Sequence, residues 1–136
     1  MYEFFEHTAD VGIRIRAPGL EQLFAEAGEA LMAFILENPL LEATGERVSF
    51  TLSAGDLEDL LHDWLGELLY VFETRHIVLG DFRVTLAGMT LTAESSAEPL
   101  DPQRHRPSHE VKAVTYHGLT VEPCDGGYLA EVVLDI

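Results

Sequence analysis

The chain of 136 residues has the length of one ordinary domain, and its 47% hydrophobic content is typical of a globular fold that buries a core without metal or disulfide support. It carries 24 Asp and Glu against 8 Lys and Arg, a formal net charge of −16. Nucleic-acid binding needs clustered cations that neutralise phosphates, so this balance excludes direct, tight binding to RNA or DNA and favours cations or basic protein partners. A charge that only maintains solubility is the alternative.

Targeting and redox features are sparse. No apolar run approaches the roughly 20 residues that a membrane-spanning helix needs, and the first residues lack the basic segment of a signal peptide. We therefore expect a cytoplasmic protein that forms a single domain over 1–136. Cys124 is the only cysteine, which leaves no internal disulfide and no cysteine-based zinc site within one chain.

Periodicity predicts the elements of the first half of the chain. Strict alternation from Val11 to Arg16 is typical of a half-buried strand. Apolar residues at three- and four-residue steps predict an amphipathic helix that ends at Asn38-Pro39, and a second helix begins near Asp56. The predicted strands are 2–5, 11–16 and 47–52, and the predicted helices are 20–35 and 56–72.

The second helix has two faces of interest. Trp64 is expected to point into the core and Tyr70 to pack on the helix face. On one flank, Asp59, Asp63 and Glu67 lie at four-residue spacing with His62 nearby. A solvated helix face is the commoner use of such a ridge, and a metal or a basic partner is the alternative.

The second half reads mainly as strands. They are predicted at 77–79, 82–86, 89–93, 110–117, 119–122 and 128–136. The segment 94–108 is polar, holds three prolines and is predicted to be a loop, with Arg104-His105-Arg106 as a solvated basic cluster. The sum is an α+β fold: a mostly antiparallel sheet of about six to seven strands with two amphipathic helices packed on one face.

One stretch is chemically unusual. From Glu110 to Gly118, Lys112 and His117 interrupt an apolar, β-branched run. A lysine there must reach solvent or meet acidic partners, and Asp10 and Asp135 are the acids in similarly apolar settings. We therefore expect the beginning, the middle and the end of the chain to converge on one polar site.

Those residues favour a cation site over known enzyme motifs. The sequence has no glycine-rich phosphate loop, no Gly-x-Ser-x-Gly elbow and no His-Glu-x-x-His helix. A Cys124–His117 nucleophile is disfavoured by neighbouring acids. The carboxylates of Asp10 and Asp135 and the α-carboxylate of Ile136 would suit Ca²⁺ or Mg²⁺, and Zn²⁺ or Mn²⁺ if His7 turned inward. The alternative is that Asp10 caps a turn and Asp135 is a frayed terminal residue.

Motifs along the whole chain resemble the archease family. They are His7-Thr8-Ala9-Asp10-Val11-Gly12, Asp63-Trp64-Leu65-Gly66-Glu67-Leu68-Leu69-Tyr70, Lys112-Ala113-Val114-Thr115-Tyr116-His117 and Val132 to Ile136. Three departures are visible: Gly66 where the family usually has Asn, Ala97 where it usually has Gly, and the run 56–62, which ends in His62 where an apolar residue commonly precedes the Asp-Trp pair.

The resemblance implies a helper of an RtcB-type RNA ligase in tRNA splicing and RNA repair, not a stand-alone enzyme. Such a helper promotes guanylylation of the ligase's active-site histidine and restores its turnover. The implied metal ligands are Asp10, Asp135 and Ile136, with Ca²⁺ as the first expectation, Lys112 as the functional lysine, and His7 and His117 beside them. A chaperone-like or scaffold module and a stand-alone metal-dependent hydrolase stay open as alternatives.

Overall fold

The computed structural model describes residues 1–39, 41 and 46–136. They form three helices and eight strands, so the predicted α+β class is confirmed. The strands are β1 Tyr2–His7, β2 Asp10–Ala17, β3 Glu46–Ser53, β4 Ile77–Ala87, β5 Thr90–Pro99, β6 Ala113–Val114, β7 Thr120–Cys124 and β8 Gly127–Asp135. The helices are α1 Leu20–Ile35, α2 Leu57–Arg75 and α3 Pro102–His105.

The strands form two antiparallel sheets where the sequence predicted one. The five-stranded sheet has the order β1-β2-β8, with β6 and β7 both paired to the far side of β8; the three-stranded sheet has the order β3-β5-β4. Alternate residues of β2 and β8 enter the core: Ile13, Ile15, Ala130, Val132 and Leu134 are fully buried. The other face of the five-stranded sheet is the outer face, and the candidate site lies on it.

Both long helices lie close to their predicted bounds. The side chain of Asp56 accepts a hydrogen bond from the Asp59 amide at 2.8 Å, which caps the start of α2. At the other end, His76 adopts φ 53°, the left-handed conformation that commonly terminates a helix. None of the described helices is long and apolar enough to cross a bilayer.

Trp64 lies at the centre of the core, as predicted. Its side chain is fully buried, and its Nε1 donates a 2.9 Å hydrogen bond to the Phe24 carbonyl on α1. Its ring meets Phe50 and Phe82 of the three-stranded sheet edge to face. One cluster of buried side chains therefore joins both sheets and both long helices. Tyr70, by contrast, is 62% exposed, so its predicted packing role is wrong.

The segment 94–108 is not the predicted loop. Strand β5 continues through it to Pro99, and α3 follows. Four of its polar residues are buried: Ser95, Ser96, Glu98 and His105. They have partners there, and the Ser95 hydroxyl, for example, bonds both the amide and the carbonyl of Gly80 at 3.1 Å. Satisfied small polar residues can enter a core, and sequence polarity alone does not reveal this.

The run 110–117 forms only the two-residue strand β6. Beyond Thr115, whose amide bonds the Val133 carbonyl at 3.0 Å, the chain leaves β8 and returns at Thr120. The predicted strand is thus an edge strand interrupted by an excursion at 116–119. Tyr116 in this excursion is 58% exposed, and Lys112 before it is exposed as well.

Candidate functional site

The three stretches expected to converge do so at one end of the five-stranded sheet. In the antiparallel register His7 faces Asp10, Val11 faces Leu134, and Ala113 faces Asp135. Extending the β2–β8 register by one residue puts Asp10 opposite Asp135. Residues opposite each other on neighbouring strands share a face. His7, Asp10, Asp135 and Ala113 therefore form one row across four strands, which we call the acidic row.

The acidic row begins at a strained turn. Thr8 and Ala9 connect β1 to β2, with φ of 28° and 69°. A two-residue hairpin loop with both residues at positive φ usually holds Asn and Gly, because Gly has no Cβ and Asn tolerates positive φ better than most residues. Strain of this kind concentrates at functional sites, where other contacts hold it in place.

The electrostatics of the row are unfavourable without a cation. Asp10 and Asp135 are both half-buried, and like charges directly opposite each other destabilise a sheet. The Nδ1 atom of His7 is buried and has no hydrogen-bond partner among the described residues. The carboxylates of Asp10 and Asp135 are donors that a hard divalent ion can use, so these two residues fit the expected group.

The donors do not form a complete cage by themselves. Among the described residues, no group of three or more His, Cys, Asp or Glu side chains is arranged to hold a metal. Ligands beyond the two aspartates would have to come from oxygens outside that set. Ile136 directly follows Asp135 and is 40% exposed, so its main-chain oxygens lie beside the acidic row.

Apolar residues close the row on one side. Phe5 faces Gly12, and Gly12 faces Val133, on the same outer face two residues along. The Phe5 ring lies on Gly12 so closely that a Cβ there would overlap it. Val133 is only 3% exposed. Low polarity on this side strengthens the interaction of the carboxylates with any cation.

Lys112 is placed next to the row by its main chain, while its side chain is free to move. Its amide donates a 2.7 Å hydrogen bond to the Asp135 carbonyl, and the residue is exposed. Of the two alternatives expected for this lysine, reaching solvent or meeting acidic partners, the structure shows the first, and its main chain lies beside Asp135. His117 lies in the exposed excursion at 116–119, and its amide bonds the Thr115 hydroxyl at 3.2 Å.

Comparison with known proteins places the chain in a family. The model of the Archease protein family (MTH1598/TM1083) matches residues 2–136. The chain belongs to the archease family. The Methanopyrus kandleri protein archease is 40% identical over 139 residues, with 99% of each chain covered. The Pyrococcus furiosus protein archease is 37% identical, with 99% of this chain and 98% of the relative covered.

Two solved structures share this archease's fold. The solution structure of Methanobacterium thermoautotrophicum protein 1598 has a TM-score of 0.81 and 32% identity, covering 99% of this chain and 98% of that one. The Thermotoga maritima crystal structure, described as an archease and possible chaperone, has a TM-score of 0.68. At 22% identity, over 100% of this chain and 98% of that one, it supports the fold alone.

The structure of this archease shows a contact that sequence reasoning missed. The Tyr116 ring stacks on His62 of α2, with centroids 3.8 Å apart and planes 13° from parallel. His62 Nε2 lies 3.0 Å from the Val114 carbonyl, which ties the helix to β6. Partial burial, followed by the charges of Asp59, Asp63 and Asp56, raises the pKa of the Tyr116 phenol. The four-residue spacing of Asp59, Asp63 and Glu67 was visible in the sequence. The sequence did not show that Asp59 and Asp63 lie near Tyr116.

A second missed feature is a buried charged cluster. Glu98 is 3% exposed and binds both Arg104 and fully buried His105, whose Nε2 lies 2.7 Å from its carboxylate. The prediction of a solvated Arg104-His105-Arg106 loop is therefore wrong for the first two residues. A buried acid needs such partners, and the available signal was that Arg104 and His105 follow Glu98 six and seven residues along the chain.

Proposed function

We propose that this archease activates an RtcB-type RNA ligase by promoting guanylylation of the ligase's active-site histidine. The proposal rests on the family, on a charge of −16 that suits a basic ligase cleft and not RNA itself, and on the acidic row. The observation that carries it is the pair of half-buried carboxylates, Asp10 and Asp135, brought to opposite positions from distant parts of the chain. We place this activity in the cytoplasm.

In this proposal Asp10 and Asp135 hold a divalent cation together with the carboxylate of Ile136. Oxygen donors favour Ca²⁺, with Mg²⁺ next; recruitment of His7 Nδ1 would favour Mn²⁺ or Zn²⁺. When bound, the ion would supply positive charge for the phosphates of a nucleotide in the ligase. The chain itself positions the two carboxylates by strand register and places the apolar Phe5 ring on Gly12 beside them.

Lys112 has a separate role in the proposal. Its main-chain amide is hydrogen-bonded to the Asp135 carbonyl, while its exposed side chain can extend away from the acidic row. A lysine on a long flexible stem binds phosphate as a point charge. We assign it to a phosphate oxygen of the ligase-bound nucleotide.

The test is a guanylylation assay of the cognate ligase with and without this protein, in the presence of each ion or of EDTA. Asp10→Ala and Asp135→Ala should abolish stimulation, and EDTA should do so for the wild type. Glu122→Ala, which removes an exposed carboxylate from β7, is the matched control and should stimulate fully. Circular dichroism checks that all variants fold. Full stimulation by both aspartate variants would reject the acidic row as the working site.

A chaperone-like role is the second candidate, because the Thermotoga maritima relative is described as a possible chaperone. Exposed aromatic side chains support it here: Phe4 is 41%, Tyr116 58% and Tyr70 62% exposed. A general chaperone would suppress aggregation of unrelated unfolded proteins and would not need Asp10. Suppression by wild type and Asp10→Ala alike, without an effect on ligase guanylylation, would favour this role.

A further inference from the structure

A cavity of about 580 Å³ lies beside the candidate site but is separate from it. It is formed by the end of α1, the second half of α2 and the segment 107–111, which we call the wall segment. Its apolar floor includes Ile35, Leu69 and Val111, which are 3%, 7% and 2% exposed. A cavity of this size and lining is large enough to take an apolar side chain with part of its main chain.

The wall segment is held in place, so the cavity is preformed. The Ser108 amide donates to the Ile35 carbonyl at 2.8 Å, and Leu36 pairs with Pro107. The preceding residues are fixed as well, by the Glu98 cluster and by an Asn38 amide bond to the His105 carbonyl at 3.0 Å. A ligand that enters a preformed cavity does not have to order these residues first.

The rim of the cavity is acidic. Glu73 on α2 and Glu110 in the wall segment are both exposed there, and no Lys or Arg is among its described lining residues. The C-terminal end of α2 adds the partial negative charge of its carbonyl groups. A phosphate or carboxylate ligand would be repelled, whereas a cationic group would be attracted.

A series of aromatic contacts leads away from the rim. His109 stacks on Phe34 with centroids 4.3 Å apart, Phe34 contacts Phe4 at 5.5 Å, and Phe4 contacts Tyr2 at 5.7 Å. Phe4 is 41% exposed. Arginine guanidinium groups bind both carboxylates and aromatic faces. A surface that combines acidic side chains with aromatic rings therefore favours a partner that contains arginine.

We infer that this cavity binds a basic peptide segment of a protein partner. One apolar side chain of the segment inserts against Leu69 and Val111, and flanking Arg or Lys residues meet Glu73, Glu110 and the aromatic rings. Assigning the segment to the RNA ligase rests on the proposed function. Because the wall segment continues from Val111 into Lys112, a segment bound here lies next to the acidic row and would hold the partner beside it.

The first test uses synthetic peptides and needs no ligase. NMR titration of the labelled protein with Arg-Arg-Leu-Arg-Arg should shift the methyl signals of Leu69 and Val111. Arg-Arg-Ser-Arg-Arg, which lacks the anchor, should bind at least about tenfold more weakly, a difference of about 1.4 kcal/mol. Glu-Glu-Leu-Glu-Glu should not bind. Equal binding of the two basic peptides, with shifts spread over the acidic surface, would overturn the inference.

Charge reversal at the rim gives the matched comparison. The double variant Glu73→Lys/Glu110→Lys should weaken binding of the leucine peptide by about tenfold or more. The control Glu122→Lys/Asp125→Lys changes the net charge equally, at exposed residues on the β7–β8 hairpin. It should change affinity by no more than about threefold, since only long-range attraction is altered. Equal effects of both double variants would mean that net charge, not the cavity, binds the peptide.

The ligase assay then tests the partner assignment. The rim variant should raise the concentration of this protein needed for half-maximal stimulation by about tenfold and leave the maximum unchanged. Asp10→Ala should instead lose the maximum. An unchanged half-maximal concentration for the rim variant would overturn the assignment to the ligase. No stimulation by the wild type would reject the proposed function, while the peptide titration would still decide whether the cavity binds a basic segment.

Discussion

Neutralising one member of the Asp10–Asp135 pair should stabilise the metal-free protein while removing its response to metal. The variant is Asp135→Asn, which keeps the side-chain shape and one oxygen but removes the charge. Favourable cross-strand pairs contribute roughly 0.2–1 kcal/mol and like charges directly opposite are destabilising, so we take a cost of about 1 kcal/mol for these two half-buried carboxylates. In EDTA we therefore expect the free energy of unfolding to rise by about 1 kcal/mol, or about 3–5 °C in midpoint temperature.

The sign reverses when an ion is present. A cation at about 100 times its dissociation constant stabilises the state that binds it by ~2.7 kcal/mol. The wild type should gain about this much, whereas Asp135→Asn should gain much less because only one carboxylate of the pair remains. Asp125→Asn, in the exposed turn between β7 and β8, is the control and should change little in either condition.

Urea denaturation measured by circular dichroism, in EDTA and in Ca²⁺, Mg²⁺, Mn²⁺ or Zn²⁺, gives both quantities. A loss of stability of Asp135→Asn in EDTA would show that the two carboxylates do not repel each other. A wild-type midpoint that none of the four ions changes would refute the cation site. Either result would remove the physical basis of the acidic row.

Substitutions at three other residues test single features of the fold. Ala9→Gly removes a Cβ from a residue at φ 69° and should stabilise the protein by up to ~1 kcal/mol in thermal denaturation; a loss would mean that the turn is unstrained. Glu98→Ala leaves buried His105 without its carboxylate and should cost ~3 kcal/mol in urea denaturation, whereas Glu98→Gln should cost less; equal losses would exclude a charge effect. The hydrogen bond from Arg14 lowers the pKa of Glu3 below its ordinary value of 4.5, so its stabilising effect is present at neutral pH and is lost as the pH falls through the lowered pKa. Glu3→Gln should therefore lower the denaturation midpoint at neutral pH and not in strong acid, and an equal loss at both pH values would contradict this.

The elements that depend on local pattern were predictable. Helix α1 has the bounds that its apolar spacing predicts, and β2 and β8 alternate between core and outer face as their sequences do. Local prediction failed where burial depends on a distant partner. Glu98 is buried only because Arg104 and His105 return to it, and the sequence around it does not state this pairing.

The position of the candidate site was predicted for a reason that the structure only partly supports. The argument was that Lys112 would either reach solvent or meet acidic partners, and Lys112 is exposed, so its side chain is not what brings the three stretches together. What brings the three stretches together is the pairing of β8 with β2 on one side and with β6 on the other. The register between β2 and β8, which lie more than 100 residues apart in the chain, is set by core packing. Sequence reasoning could therefore predict that the three stretches meet, but not which side chains lie in one row.

The outer face of the five-stranded sheet carries an internal comparison for the acidic row. In one row, Glu3 and Glu131 face Arg14, whose guanidinium lies 2.8 Å from the first carboxylate and 2.7 Å from the second. Two carboxylates with a cation between them are thus a stable arrangement on this sheet. In the acidic row, Asp10 and Asp135 are brought together in the same register, and no described residue forms an ion pair with either.

Folding alone does not favour two aspartates without a cation, since an arginine beside Asp10 and Asp135 could neutralise them as Arg14 neutralises Glu3 and Glu131. The acidic row instead combines three costs: opposed charges, a Thr8-Ala9 turn at positive φ and an unbonded His7 nitrogen. Costs that cluster in one place, while the neighbouring row is compensated by Arg14, support the proposal that the acidic row binds a ligand. In the proposed function, the compensating charge for Asp10 and Asp135 is a bound ion, and the urea denaturation series with the four ions tests this.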